Sequence, residues 1–169
     1  MRDRCHPREV TRITAKVAIL TVTDSRTLAE DESGDLAQRI LEREGHSVSR
    51  RYVVKNDANA IGGALDSFLS DPEVDAIITI GGTGVSRRDM TVDVVARMLQ
   101  KRLEGFGELF RAISFRRLGS SAMMSRALAG VCNDKAIFCV PGSKDAVRTA
   151  VKRLIAPELG HVIFEVRKT

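Results

Sequence analysis

Between residues 81 and 93 the chain reads Gly-Gly-Thr-Gly-Val-Ser-Arg-Arg-Asp-Met-Thr-Val-Asp. Glycines lacking Cβ let backbone N–H groups approach a phosphate closely, and a helix starting just beyond adds the positive end of its dipole. Arg87 and Arg88 suit phosphate oxygens. Asp89, beside them, is expected to stay ionised and to be able to hold Mg²⁺ bridging phosphates. The segment is not a Walker loop, since it lacks the Gly-Lys-Ser/Thr ending. It is not a dinucleotide fingerprint either, since the third glycine is missing, which argues against a nucleotide-binding oxidoreductase. Three other short segments carry similar residue types: Thr23-Asp24-Ser25-Arg26, Asn56-Asp57 and Pro141-Gly142-Ser143. Several of these residues have structural readings as well. Asp57 and Thr91 stand where helix caps belong, Asp93 complements a helix dipole, and the glycines suit a tight turn of positive φ.

The elements that must position these segments alternate as in an α/β domain. Val17–Val22 is an apolar run fitting a strand buried on both faces. After a polar loop at 30–34, a helix is predicted over 35–44, ended by Gly45. Residues 47–54 read as a strand nearer a sheet edge, and 58–70 as a helix capped by Asp57, with Ile61, Leu65, Phe68 and Leu69 inward. Gly62 and Gly63 weaken that helix and are ascribed to close packing. Residues 76–80 form an apolar strand that runs into the glycine loop, followed by a helix over 92–101. The stretch 104–129 is harder to read, with a helix at 105–114. A late buried strand over 135–140 precedes a helix at 144–154 and a further short element after Pro157. The pattern predicts a three-layer α/β sandwich: a mostly parallel sheet with helices on both faces. Such sheets bind ligands beyond the carboxyl ends of their strands, where all four segments fall.

Composition narrows the class. The 169 residues are 43% hydrophobic and 29% charged, which favours an ordered globule over a disordered chain. No apolar stretch is long enough for a transmembrane helix. The N-terminal segment has no secretory apolar core, so the protein is expected in the cytoplasm. Residues 1–16, with Arg2, Arg4, Arg8 and Arg12, read as a basic arm, and 17–169 as one domain. Net charge is +5 with a pI near 9.4. Aromatic residues are only 4%, and the basic ones are not striped, so a phosphorylated ligand is favoured over nucleic acid. Cys5, Cys132 and Cys139 are scattered, and His6, His46 and His161 lack ligand spacing, so neither structural zinc nor a disulfide framework is expected. Cys139 is read as a core residue.

The chain also resembles a known family. Thr21-Val22-Thr23-Asp24-Ser25-Arg26, Gly81–Gly84 with Arg88, Asp89 and Thr91, Glu104-Gly105-Phe106-Gly107-Glu108, Ser125-Arg126, and Pro141-Gly142-Ser143 are similar, in order and spacing, to the MoaB/Mog proteins, more closely the MoaB branch. The likeness runs from about residue 17 to about residue 159. It implies a molybdopterin-binding-like fold and a role in molybdenum cofactor biosynthesis. The implied reaction is Mg²⁺-dependent adenylylation of molybdopterin by ATP, releasing pyrophosphate. In that resemblance Asp57 and Asp89 are the catalytic, metal-holding acids. Gly81, Gly82, Thr83, Gly84 and Arg88 hold phosphate, and Thr23, Asp24, Ser125, Arg126, Pro141, Gly142 and Ser143 line the nucleotide and pterin pocket. A homo-oligomer, trimer or hexamer, is implied too, with no nucleic-acid or membrane partner, although other cofactor-assembly enzymes are possible partners. The alternative within the branch is a non-catalytic molybdopterin-binding or scaffold protein. Val92 departs from the proline of many relatives, which is expected to loosen the helix start.

Overall fold

The computed structural model describes residues 13–168. The Arg2, Arg4, Arg8 and Arg12 arm, with Cys5 and His6, lies outside them. Six strands form one sheet in the order β2-β1-β3-β6-β5-β4. They are β1 (Lys16–Val22), β2 (Ser47–Val54), β3 (Ala76–Ile80), β4 (Lys101–Arg102), β5 (Leu128–Cys132) and β6 (Lys135–Val140). β2, β1, β3 and β6 are parallel, while β5 runs antiparallel to β6 and β4 antiparallel to β5. β2 is an edge strand, as its mixed patterning predicts.

The helices are α1 (Glu32–Arg43), α2 (Ala58–Ser70), α3 (Thr91–Met98), α4 (Glu104–Leu118), α5 (Lys144–Val147) and α6 (Ala156–Arg167). A π-helical stretch, Arg148–Ile155, joins α5 to α6, so one long helical rod replaces the two elements expected there. Because strand side chains alternate, β1 feeds two cores. Val17 and Ile19 pack with α1, α4 and the 144–167 rod. Ala18, Leu20 and Val22 pack with α2 and α3. The three-layer reading holds, and it explains why β1 and β3 are apolar throughout.

Four local expectations change. α1 starts at Glu32 rather than 35, because Asp31 is its N-cap and accepts from the Gly34 N–H at 2.9 Å. α3 ends at Met98, freeing Lys101–Arg102 for β4. α4 runs on to Leu118, where Gly119 at φ +58° ends it. Gly62 and Gly63 are not explained by close packing, since a Cβ on either would meet nothing within 4 Å. The β5–β6 hairpin, unforeseen in the hard-to-read stretch, turns on Asn133 and Asp134, both at positive φ (48° and 56°). Asn and Asp tolerate that conformation better than other non-glycine residues, and the primed turn needs it twice.

Candidate functional site

Four parallel strands end on the same edge of the sheet, so the loops after β1, β2, β3 and β6 share one rim. Hydrogen bonds stitch them together. The Thr23 N–H donates to Val54 O at 2.9 Å, and the Gly81 N–H to Val140 O at 2.9 Å. The Asn56 N–H donates to Asp24 Oδ1 at 2.9 Å, while Asn56 Oδ1 accepts from the Met90 N–H at 3.1 Å. Asn56 thus binds the first loop to the third and sets its neighbour Asp57 beside the loop that carries Asp89. The last loop closes the ring: Ser33 donates to Gly142 O at 2.9 Å, and a Cβ on Gly142 would lie 3.4 Å from Gly81 Cα.

The glycines are demanded by this crowding. Gly81 sits at φ +101° with the Val22 carbonyl where its Cβ would be, and Gly82 at φ +64° with the Thr91 side chain there. Thr91 is fully buried, and its hydroxyl has no hydrogen-bond partner among the described residues. It is therefore no cap: Met90 occupies the N-cap of α3 without a side-chain bond.

Of the two acids, Asp57 caps α2. Its Oδ1 accepts from the Asn59 and Ala60 N–H groups at 3.0 and 2.9 Å. Asp89 Oδ2 accepts from the Ser86 N–H at 2.9 Å. The Ser86 hydrogen bonds, opposed by partial burial and aided by the Gly84 amide and Arg126, hold the Asp89 carboxyl below the usual carboxylate range. Asp57 Oδ2 takes no hydrogen bond among the described residues, whereas the Asp89 carboxylate is engaged by the Ser86 side chain and by the Ser86 and Gly84 amides. Among the described residues no three His, Cys, Asp or Glu side chains form a metal cage. Two single carboxylates suit Mg²⁺, which usually keeps few protein ligands and arrives with phosphates. The carboxylates of Asp57 and Asp89 are donors of the type that ion accepts.

The remaining expected residues lie on the same rim. Thr23 and Asp24 border a 630 Å³ groove with Arg26, Tyr52 and Lys55. Arg88 is exposed and makes no ion pair among the described residues. Ser125, Pro141 and Ser143 line a 780 Å³ cleft between α4 and the 144–155 helical segment, whose walls carry Arg116, Lys152 and Arg153. Ser143 also caps α5, accepting from the Ala146 N–H at 3.2 Å. Arg126 differs from the rest: its guanidinium grips Asp93 at 2.6 and 3.0 Å. Asp93, expected to complement the α3 dipole, is held below the usual range chiefly by that hydrogen bond.

Sequence reasoning missed a support beneath the rim. Asp31, 1% exposed, accepts from Thr21 Oγ at 2.8 Å and from Arg51 Nη2 at 3.0 Å. It fixes the start of α1 and so the place of Ser33, which helps line a 220 Å³ hollow with Thr21, Arg26 and Gly142. Its one local signal was an acid three residues ahead of Gly34, inside what read as a polar loop.

With this geometry in hand, comparison with known proteins decides the family. A family model described as a probable molybdopterin binding domain matches residues 18–161. The chain belongs to that family, of the MoaB/Mog type. The chain is 43% identical over 163 residues to molybdenum cofactor biosynthesis protein B of Bacillus cereus, covering 96% of this chain and 94% of the relative. The protein of the same name from Staphylococcus epidermidis is 46% identical over 156 residues, 90% of this chain and 89% of its own. A crystal structure of a molybdenum cofactor biosynthesis protein B superposes with a TM-score of 0.90 at 42% identity, covering 93% of this chain and 98% of that one. The tungsten cofactor synthesizing protein MoaB of Pyrococcus furiosus gives 0.78 at 30%, with 92% and 98% covered. The molybdopterin-binding-like α/β fold implied by the motifs is therefore the fold of this chain.

Proposed function

We propose that this member of the family works in molybdenum cofactor biosynthesis as a molybdopterin adenylyltransferase. The terminal phosphate of molybdopterin attacks the α-phosphate of ATP, and pyrophosphate leaves. The observation that carries this reading is the hydrogen bond from the Met90 N–H to Asn56 Oδ1 at 3.1 Å, which ties the residue before Asp57 to the residue after Asp89. Phosphoryl-type transfer asks mainly for positioning and charge neutralisation, and these residues offer both. Gly81–Gly84 leads toward the start of α3, whose positive end favours phosphate, and exposed Arg88 adds a positive charge without an ion pair among the described residues. Mg²⁺ held by Asp57 and Asp89 would neutralise the phosphates and the departing pyrophosphate. Thr23, Asp24, Ser125, Pro141 and Ser143 border the two larger openings, Gly142 lines the smaller hollow beside them, and together they suit the nucleotide and pterin portions. One domain spanning 17–169, a cytoplasmic setting and a trimer or hexamer belong to the same reading. Among the described residues no helix is long and apolar enough to cross a membrane.

The test is pyrophosphate release from molybdopterin, ATP and Mg²⁺. Wild-type protein should release it above a no-enzyme control, and Asp89→Asn should abolish release while melting like wild type. Pterin binding without pyrophosphate from the wild type would leave a binding or scaffold protein in its place.

A further inference from the structure

Arg126 sits where the segment after α4 enters β5, and every bond it makes goes to the glycine loop or its helix. Its backbone N–H donates to Thr83 O at 3.2 Å. Its Nη1 and Nη2 take both oxygens of Asp93, and Nη2 also donates to Asp89 O at 3.3 Å. The remaining nitrogen, Nε, is buried without a partner. One residue thus holds both feet of the loop, Thr83 at its start and Asp89 and Asp93 at its end. A bidentate arginine–carboxylate pair is among the more directional contacts available to a side chain.

We infer that Arg126 is a positioning residue, which with Asp93 sets where the Asp89 turn stands above α3, rather than a group that touches the phosphates. The two terminal nitrogens already serve Asp93, whereas exposed Arg88 has no such engagement. The Asp89 turn is closed on itself, since the Asp89 N–H donates to Ser86 O at 3.1 Å and its carboxylate takes the Ser86 N–H. The turn's internal shape is therefore local. Its placement depends on the contacts that reach it from outside, at Asp89 O from Arg126 and at the Met90 N–H from Asn56. The kinetic consequence rests on the transferase reading; the structural one does not.

The experiment compares wild type with Arg126→Met, Arg126→Lys, Asp93→Asn and the Arg126→Met/Asp93→Asn double variant. It measures kcat and KM for ATP in the pyrophosphate assay, and amide hydrogen exchange at Ser86 and Met90 without ligand. Losing a supporting contact of this kind should lower kcat about 10- to 100-fold in Arg126→Met and in Asp93→Asn. KM for ATP should stay within about twofold, and the double variant should be no worse than either single one. Exchange at Ser86 and Met90 should speed up in the same variants. Asp93→Asn frees the guanidinium without removing it, so it separates the two roles. Wild-type kcat in Asp93→Asn, with a raised KM in Arg126→Met, would make Arg126 a phosphate ligand and overturn the inference. A wild type that releases no pyrophosphate would sink the transferase reading alone. The exchange arm then decides, and unchanged protection at Ser86 and Met90 in both single variants overturns the positioning role. Should Arg126→Met fail to fold, Arg126→Lys, which keeps the charge but not the fork, carries the same comparison.

Discussion

Asp31 is the buried charge on which the rim rests, and its removal is the most quantitative test of the account. Asp31→Ala deletes the N-cap of α1, a loss of about 1 kcal/mol. It also strips Arg51 and Thr21 of a partner buried to 1% exposure. Breaking one side of a buried ion pair costs about 3–5 kcal/mol. The lower end applies, because Arg51 is 18% exposed and keeps Asp35 at 2.6 Å. The sum is about 4 kcal/mol, or a melting point lower by about 8–16 °C for a chain of this size. Asp31→Asn retains an oxygen for the Gly34 N–H but turns the other end into a donor facing two donors. It should therefore lose about 2–3 kcal/mol. Urea unfolding at fixed protein concentration and pH 7 reads both values. A loss under about 1 kcal/mol for Asp31→Ala, with an unchanged denaturant slope, would refute the claim that this carboxylate anchors α1 and its rim.

Gly62→Ala and Gly63→Ala should each stabilise the protein by about 0.5–1 kcal/mol, since both are helical and a Cβ meets open space; equilibrium unfolding checks this. Gly82→Ala should cost about 1–3 kcal/mol and disable the site, because a Cβ at φ +64° would run into Thr91; melting and pyrophosphate release are the readouts. Cys139, fully buried, has its thiol pushed up to about 12 by burial. It should resist alkylation at pH 8 in native protein and react in urea. The sign of its pH effect follows from that rise: the folded state holds the proton more tightly than the unfolded one. Its contribution is complete below about pH 9 and fades as pH climbs toward 12, which stability measured across that range will show.

What the sequence determined by itself was whatever depends on neighbours along the chain. The continuous apolar run of β1, the inward stripe of α2, the cap at Asp57 and the positive-φ glycines of the 81–84 loop are all local consequences of residue type. Parallel strand order then obliges the loops after β1, β2, β3 and β6 to meet on one rim, so the gathering of those four loops was legible before any coordinates. Motif resemblance supplied the family, which the comparisons bear out. Tertiary structure alone decided which charges meet. Arg51 reaches Asp31 across 20 residues, Arg126 reaches Asp93 across 33, and Asn56 reaches Met90 across 34. No local propensity encodes such pairs, because a charged side chain reads as solvated until packing removes its water. The partner that then compensates it is chosen by the topology of the sheet.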